Sequence, residues 1–383
     1  MVQKVLFTAT VDYHFKAFHL PYLKWFKEQG WDVHVAASGD INLPYVDQKY
    51  NLPIERSPVN KQNITAYRKL KHIIDENQYE MIHCHTPMGG VLTRLAARAA
   101  RKHGTKVIYT AHGFHFCKGA PLANWALYYP IEKGLAHCTD CLITINEEDY
   151  RLASSKLKTR KHELVHGVGV NTEKFKPISD EQKSSLRKSL GYQPDDFLFI
   201  YAAEFNTNKN QSFLIRAFEK VVKEIPNARI LLAGEGEKRK ECRELAKRLE
   251  VDHRIDFLGF RKDIQQLLTI SDVAVGSSLR EGLPVNIMEA MACGLPVIAV
   301  DNRGHRELIH HSVNGWLITK NDSDGFAEKM KFIAKNIKIK KQLGKEGRRT
   351  IVQKYSEHNV LIQKREIYQM YMKKEGVGKW AVH

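Results

Sequence analysis

Short apolar runs alternate with longer stretches of helical periodicity along the first half of the chain. Helical patterns include Val91–Lys102 and Pro121–Ala136. Strands that alternate with helices predict βαβ units and a parallel sheet. The strand-like runs are Val2–Thr8, Val33–Ala37, Met81–Cys84, Lys106–Thr110, Cys141–Ile145 and Glu163–His166.

The same alternation starts again near residue 196, at Phe197–Ala202, Arg229–Ala233, Arg254–Leu258, Val273–Val275 and Val297–Val300. The intervening segment, 171–196, is rich in proline, glycine and charge, which is typical of a linker with one short helix. We therefore predict an α/β protein with two doubly wound, Rossmann-like domains, at 1–177 and 196–355. A final helical pattern over 356–373 is followed by no strand, and packing against the first domain is one option for it.

Two doubly wound domains that face each other leave a central cleft. Ligands of such sheets bind at the carboxyl ends of the strands. The loops that follow the strands are therefore where candidate functional residues are expected.

Composition places the chain among soluble globular proteins, with 43% hydrophobic and 27% charged residues in 383. No run approaches the roughly 18–20 apolar residues of a membrane span. The N-terminal sequence MVQKVLFTAT enters a strand pattern directly, without the features of a secretory signal. Six cysteines, with one isolated CxxC at Cys138 and Cys141, fit reduced thiols. These features predict a cytoplasmic protein.

The formal net charge of +17 is divided between both halves of the chain. No RNA-binding, zinc-finger or helix-turn-helix signature accompanies it, so we expect no nucleic-acid partner. A basic surface also suits anionic small molecules and anionic membranes. Basic and aromatic residues interleave at 13–27, and a second basic stretch lies at 94–106. The first segment fits a membrane-facing surface, or equally a helix whose apolar stripe is buried and whose lysines face water.

The segment EGLPVNIMEAMACGLPV, residues 281–297, places two glutamates eight positions apart around a short helical pattern. Pro284 is suited to the first helical position, and Gly294 and Pro296 to the end of the helix and the start of the next strand. A helix N-terminus in this loop offers free N–H groups and partial positive charge to a phosphate. A glutamate there can accept sugar hydroxyls, although isolated glutamates at this spacing are usually solvated surface residues.

This segment does not stand alone, since DFLGF at 256–260, GEGE at 234–237 and FNTNKNQSFLIRAF at 205–218 precede it. Together they resemble the C-terminal domain of the family 4 retaining glycosyltransferases of GT-B fold. YTAHGFHFCKGAP at 109–121, NWALYYPIEK at 124–133 and LITINEEDY at 142–150 are similar to one subgroup. That subgroup contains bacterial exopolysaccharide and lipid-linked oligosaccharide glycosyltransferases.

The resemblance implies roles for residues of the cleft. Glu289 should hold the ribose hydroxyls of a nucleotide sugar. Glu281, with the amides of Gly282 and Leu283, should hold the hydroxyls of the donor sugar. His112 matches a family histidine that contacts the donor sugar near the reacting centre.

The same resemblance assigns the donor's diphosphate and base. Pro284 and the amides near Val285 should meet the diphosphate at the helix N-terminus, and Lys209 should neutralise its charge as it leaves. The backbone around Phe260–Arg261 is a candidate for recognition of uracil.

Two positions depart from the family pattern. Ala203-Glu204 stands where the family usually has Gly-Arg, so a carboxylate replaces one cation of the diphosphate clamp. Glu204 is instead suited to a hydroxyl or a neighbouring cation. The loop after the first strand, TATVDYHFKAFHLPY, lacks the usual glycines, which leaves the acceptor side less well defined.

The implied function is retaining transfer of a sugar, an N-acetylhexosamine by analogy with the subgroup, from a UDP-sugar to a polyprenyl-diphosphate-linked acceptor. The pathway would be exopolysaccharide biosynthesis, at the inner face of the cell membrane. No cofactor is implied, because the UDP-sugar is a co-substrate. The alternatives are a membrane-surface protein of the same fold without catalysis, and a sugar-nucleotide epimerase.

The resemblance implies no metal. His83, His85, His112, His115 and Cys117 lie in two strand-end segments without the spacing of a four-ligand zinc site. We therefore expect catalysis without a metal ion.

Overall fold

The computed structural model describes residues 2–372, which divide into two compact units. The first unit contains residues 2–168 and 360–372, and the second contains residues 169–359. These bounds differ from the predicted 1–177 and 196–355, because the whole linker region belongs to the second unit.

The first unit is a seven-stranded parallel sheet, in the order β3-β2-β1-β4-β5-β6-β7, with helices between all consecutive strands except β2 and β3. Its elements up to residue 168 are β1 (Lys4–Val11), α1 (Tyr13–Phe18), α2 (Leu20–Glu28), β2 (Asp32–Ser38), β3 (Gln48–Asn51), α3 (Gln62–Asn77), β4 (Met81–His85), α4 (Pro87–Ala96), α5 (Arg98–Lys102), β5 (Lys106–Ala111), α6 (Leu122–Ala136), β6 (Cys141–Thr144), α7 (Glu147–Lys156) and β7 (Lys161–Leu164).

The second unit is a six-stranded parallel sheet in the order β10-β9-β8-β11-β12-β13. Its elements are α8 (Asp180–Ser189), β8 (Phe197–Ala202), α9 (Gln211–Val222), β9 (Ala228–Ala233), α10 (Arg239–Arg248), β10 (Ile255–Gly259), α11 (Ile264–Ile270), β11 (Val273–Gly276), α12 (Val285–Ala292), β12 (Val297–Val300), α13 (Arg303–Leu308), β13 (Gly315–Ile318), α14 (Ser323–Lys335) and α15 (Ile337–Thr350).

Both strand orders place the first strand of the unit at the point where the order reverses, which is the doubly wound, Rossmann-like arrangement. The predicted α/β class with two such sheets is confirmed. Two short strands, β3 and β13, were not predicted.

The last helix of the described residues, α16 (Glu357–Tyr371), follows the second unit in sequence. From residue 360 onwards it belongs to the first unit, where Val360, Ile367 and Tyr368 are buried in the core that contains Phe26. The Tyr368 ring lies 4.9 Å from that of Phe26. Lys373, the last residue of the predicted helix, lies outside the described residues.

The linker helix α8 is fixed to the second unit by Asp272, a buried carboxylate directly before β11. Lys183 and Arg187 of α8 bind this carboxylate at 3.1 and 2.6 Å, and Lys340 binds it at 2.8 Å. The three cations hold the pKa of Asp272 well below its usual range despite its burial. This ion cluster explains why the linker is part of the second unit.

No helix within residues 2–372 combines the length and the apolar character needed to cross a membrane.

Candidate functional site

In the second unit, the loop after β8 is bound to the loop after β11. The Ser277 hydroxyl donates to the carbonyl of Lys209 at 2.7 Å, and the Leu279 amide donates to the carbonyl of Asn208 at 2.8 Å. The Asn208 side chain in turn donates to the carbonyl of Arg280 at 3.0 Å. Because β8 and β11 are neighbours in the sheet, their two loops form one continuous edge.

Lys209 and Glu281 meet at this edge, with 2.5 Å between Nζ and Oε1. Their side chains are only 22% and 14% exposed, so water screens the pair weakly. The Arg303 side chain donates to the Glu281 carbonyl at 3.0 Å. A Cβ on Gly304 would lie 2.7 Å from that of Glu281, so a glycine is needed for this close approach. The sequence predicted a role for both charged residues, but not that they would form a pair.

The helix after this loop begins one residue later than predicted. Pro284 is its N-cap, with φ −78° and ψ 110°, and α12 starts at Val285. The φ of Pro284 suits a helix, but its ψ keeps it extended, which corrects its prediction as the first helical residue. The amides of the first turn have no partner within a helix and point out of its N-terminus. Gly282 and Leu283 connect this turn to Glu281.

A cavity of about 550 Å³ lies beside this helix at the carboxyl ends of β8, β9 and β10. Three of the predicted donor-binding residues line it: Glu289, Glu204 and Arg261. The Asn286 side chain, which also lines it, donates to the carbonyl of Ala202 at 3.0 Å and so ties α12 to β8. The structure thus brings the second glutamate of the 281–297 segment together with the other two predicted residues.

Two glycines of the GEGE sequence form part of the cavity wall. Gly234 and Gly236 have φ of +151° and +146°. A Cβ on Gly234 would lie 2.1 Å from the carbonyl oxygen of Ala203, and a Cβ on Gly236 would lie 2.3 Å from that of Phe205. Only glycine fits there, because the loops after β8 and β9 are in direct backbone contact.

The carboxylates of the cavity have different environments. Burial raises the pKa of Glu289 to about 7, although the positive charge of Lys174 lowers it in part. Glu204 is exposed and accepts a hydrogen bond from the Asn206 side chain at 3.2 Å. The Arg261 guanidinium is bound to Asp263 at 2.7 Å. A ligand that donates hydrogen bonds to Glu289 would therefore stabilise the ionised form of this carboxyl group, which burial disfavours.

In the first unit, His112 follows β5 and belongs to a cluster of histidines. Its Nε2 lies 3.4 Å from Nδ1 of His85, at the end of β4. His14 and His19 complete the cluster, with 3.0 Å between their Nε2 atoms. One nitrogen from each of the four rings lies within 4.8 Å of all the others.

Sequence reasoning considered His85 and His112 but missed His14 and His19. The missed signal is the H-x4-H spacing in 14–19, which was interpreted only as part of an amphipathic segment. His83, which was considered, is engaged elsewhere, by Tyr368 and Thr110, each at 2.8 Å.

Next to His14, the first unit also contains an apolar cavity of about 470 Å³. Thr10, Met88, Phe116 and Tyr128 contribute to its walls. Glu132, which also lines it, forms a buried ion pair with Arg94 at 2.8 Å. Its walls suit a largely apolar ligand with few polar groups.

Comparison with known proteins matches both units to glycosyltransferases. Residues 182–350 match the family model described as "Glycosyl transferases group 1", and residues 4–146 match "Glycosyl transferase 4-like". The chain is 52% identical over 373 residues to EpsD of Bacillus subtilis (strain 168), which is named as a glycosyltransferase. The alignment covers 97% of this chain and 98% of EpsD. The chain belongs to the group 1 glycosyltransferases.

A second relative of this group 1 glycosyltransferase comes from Escherichia coli. It is named UDP-Gal:alpha-D-GlcNAc-diphosphoundecaprenol alpha-1,3-galactosyltransferase. The identity is 32% over 272 residues, which cover 70% of this chain and 68% of the relative. The family assignment predicted from the sequence motifs is confirmed.

Solved structures agree with the fold. Anabaena HepE, solved with UDP and glucose, superposes with a TM-score of 0.79 at 20% identity, covering 96% of this chain and 100% of HepE. WaaG, a lipopolysaccharide glycosyltransferase, gives 0.73 at 14% identity, covering 98% and 100%. The fold of this glycosyltransferase is GT-B, as predicted, while the roles of its individual residues stay predictions.

The raised pKa of Glu289 predicts a pH-dependent cost of folding. The unfolded carboxyl group has a pKa of about 4.3, so the folded state binds the proton more tightly. The cost is absent below about pH 4, grows as the pH rises and is complete above about pH 7. Glu289→Gln should therefore stabilise the protein without ligand by roughly 3 kcal/mol at pH 8 and by about 1 kcal/mol at pH 5.

Thermal unfolding at the two pH values measures this difference. Glu237→Gln, a change at an exposed glutamate of the same unit, is the matched control and should show no pH-dependent gain. An equal effect of Glu289→Gln at pH 5 and pH 8 would contradict the raised pKa.

Proposed function

We propose that this glycosyltransferase moves a sugar from a UDP-sugar to a polyprenyl-diphosphate-linked acceptor in exopolysaccharide biosynthesis, with retention of anomeric configuration. An N-acetylhexosamine is the proposed sugar, as the resemblance to the subgroup implies. The observation that carries the proposal is the edge of the second unit, where Lys209, Glu281 and the N-terminus of α12 lie beside the cavity of Glu289.

The donor side is supported by the chemistry of this edge. A diphosphate needs cations or N–H donors, which Lys209 and the first turn of α12 supply. Ribose and sugar hydroxyls need acceptors, which Glu289 and Glu281 supply. HepE was solved with UDP and glucose, and the Escherichia coli relative is named for UDP-Gal, which favours a uridine nucleotide here.

The reaction requires more stabilisation of negative charge as the sugar–phosphate bond breaks than before it breaks. In the structure Lys209 is bound to Glu281, so its charge is already held at the edge of the sheet. We propose that Lys209 exchanges this partner for the leaving diphosphate while Glu281 accepts a hydroxyl of the sugar. The transfer then needs no metal ion at the phosphates. His112 keeps its proposed contact with the donor sugar.

The acceptor side is proposed by analogy with relatives. The Escherichia coli relative and a Campylobacter jejuni relative, 28% identical over 58% of this chain, are both named for undecaprenol-linked diphosphate acceptors. The 470 Å³ apolar cavity of the first unit offers walls suited to the apolar part of such an acceptor.

A transfer assay tests the function. The full-length protein, incubated with UDP-N-acetylhexosamines or UDP-hexoses and a polyprenyl-diphosphate-linked monosaccharide, should yield a lipid-linked disaccharide whose new bond keeps the donor's anomeric configuration by NMR. Absence of transfer from all these donors would overturn the proposal, and an inverted bond would overturn the retaining mechanism.

Lys209→Met in the same assay tests the charge exchange. We expect kcat to fall by about 10²–10³, as for loss of one group that stabilises transition-state charge, with a smaller change in donor KM. Lys220→Met is the control, because Lys220 lies on the following helix and pairs with the exposed Asp324. A raised KM with unchanged kcat would instead assign Lys209 to binding alone.

We further propose that the first unit associates peripherally with anionic membranes. In the segment 13–27, Phe15, Leu23 and Phe26 are buried, as the helical-stripe interpretation expected, whereas Phe18 is half-buried. Basic side chains and Tyr13, which is 60% exposed, are therefore available to a surface. Lys16 is exposed, and Lys27 is bound to Asp47 at 2.6 Å.

Changing Lys16, Lys24 and Lys27 to glutamate should therefore weaken binding to anionic vesicles. At about 1 kcal/mol for each basic residue, the loss should be about 100-fold or more at low salt, with donor affinity unchanged. Vesicle sedimentation measures it, and glutamates at Lys188, Lys223 and Lys240 of the second unit provide the control. If the wild-type protein stays in the supernatant at low salt, the membrane proposal is wrong.

A further inference from the structure

We propose that His14, His19, His85 and His112 form a binding site for one transition-metal dication, for which Zn²⁺ is the best match. The site lies in the first unit, where the loop after β1 meets the carboxyl ends of β4 and β5. The site shares His112 with the donor-sugar contact proposed above: one nitrogen of that ring would bind the ion, and the other would stay available to the sugar.

The geometry of the four rings fits a tetrahedral ion. A zinc ion bound at about 2.0–2.1 Å to four imidazole nitrogens separates those nitrogens by about 3.3–3.4 Å. Two separations in the structure are close to this value: 3.0 Å between the Nε2 atoms of His14 and His19, and 3.4 Å between Nδ1 of His85 and Nε2 of His112. All four ligand atoms lie within 4.8 Å of one another. A small contraction around an ion would therefore complete the coordination.

Hydrogen bonding alone does not satisfy the cluster. Two buried ring nitrogens, Nδ1 of His19 and Nε2 of His85, have no hydrogen-bond partner among residues 2–372. A buried polar atom without a partner costs about 1–3 kcal/mol. In both rings the other nitrogen faces the cluster, so an ion bound there would offset this cost through its coordination bonds and not by pairing these two atoms.

The chemistry of the four side chains narrows the choice of metal. The group contains no carboxylate, which favours zinc, copper, nickel or cobalt over magnesium or calcium.

Lys364 of α16 is the main group that opposes binding of a cation to the cluster. Its Nζ is buried, lies 4.3 Å from the centre of the Tyr22 ring and has no hydrogen-bond partner among residues 2–372. Burial lowers the pKa of Lys364 to about 7. A bound dication favours the neutral amine, whereas a bound anion would favour the ammonium ion. Lys364 therefore distinguishes the two kinds of ligand.

Metal titration of the full-length protein tests the site. After removal of metals with a chelator, the protein should bind one equivalent of Zn²⁺ with a Kd of about 1 µM or tighter, measured by competition with a chromophoric chelator. Co²⁺ should give the intense visible absorption of a tetrahedral site, and Mg²⁺ should not compete. Failure to bind stoichiometric Zn²⁺, or Co²⁺ absorption typical of an octahedral surface site, would overturn the proposal.

Variants locate the ion. His14→Ala and His19→Ala should each weaken Zn²⁺ binding by about 100-fold or more, beyond the 10–100-fold typical of residues that only support a ligand. His14 is half-buried, so its variant keeps the test valid if the change at the buried His19 prevents folding. His34→Gln is the control, because His34 is buried against Tyr79 outside the cluster. Equal Zn²⁺ affinity in His14→Ala and the wild type would overturn the proposal.

Lys364→Met should have the opposite effect on Zn²⁺ affinity from the histidine variants. Loss of the buried positive charge should tighten Zn²⁺ binding by about 10-fold or more, the change that corresponds to 1.4 kcal/mol. Weaker Zn²⁺ binding, together with loss of inorganic phosphate binding in the same variant, would show that the cluster is an anion site and would overturn the proposal.

Discussion

The proposed donor site of this glycosyltransferase depends on one topological constraint, the pairing of β8 with both β9 and β11. The strand order reverses at β8, so the loops after β8 and β11 lie side by side. The hydrogen bonds from Ser277 to Lys209 and from Leu279 to Asn208 follow from that neighbourhood. Glu281 reaches a lysine 72 positions earlier for the same reason.

In the protein without ligand, the charged groups at this edge cost folding free energy. Glu289 is a carboxyl group whose burial opposes ionisation, and Glu281 is ionically bound to Lys209. Groups whose pKa values are strongly shifted in a cavity are frequent at functional sites. Ligand hydroxyls and phosphates would supply the partners that the folded chain itself supplies only in part. This accounts for the presence of Glu289 in a helix that is otherwise mostly apolar and buried.

The sequence predicted those features that local patterns encode. Central strands such as β8 were found because their apolar runs are continuous, whereas the polar edge strand Gln48–Asn51 carries no such run. The motif 281–297 predicted a role for Glu281 and Glu289, which the structure places at the edge of the sheet and in the adjoining cavity. The pairing of Lys209 with Glu281 and the histidine cluster could not be predicted, because each depends on which strands are neighbours. His14 was also hidden within a segment whose periodicity suggested only an amphipathic helix.

Hydrogen–deuterium exchange of the full-length protein with and without UDP tests the central claim, that the edge formed by β8, β9 and β11 holds the nucleotide. Saturating UDP should slow exchange of backbone amides in the segments 203–210, 234–236 and 282–289, because these loops and the first turn of α12 would become covered and less mobile. Protection confined to other segments, or no protection at saturating UDP, would contradict the account.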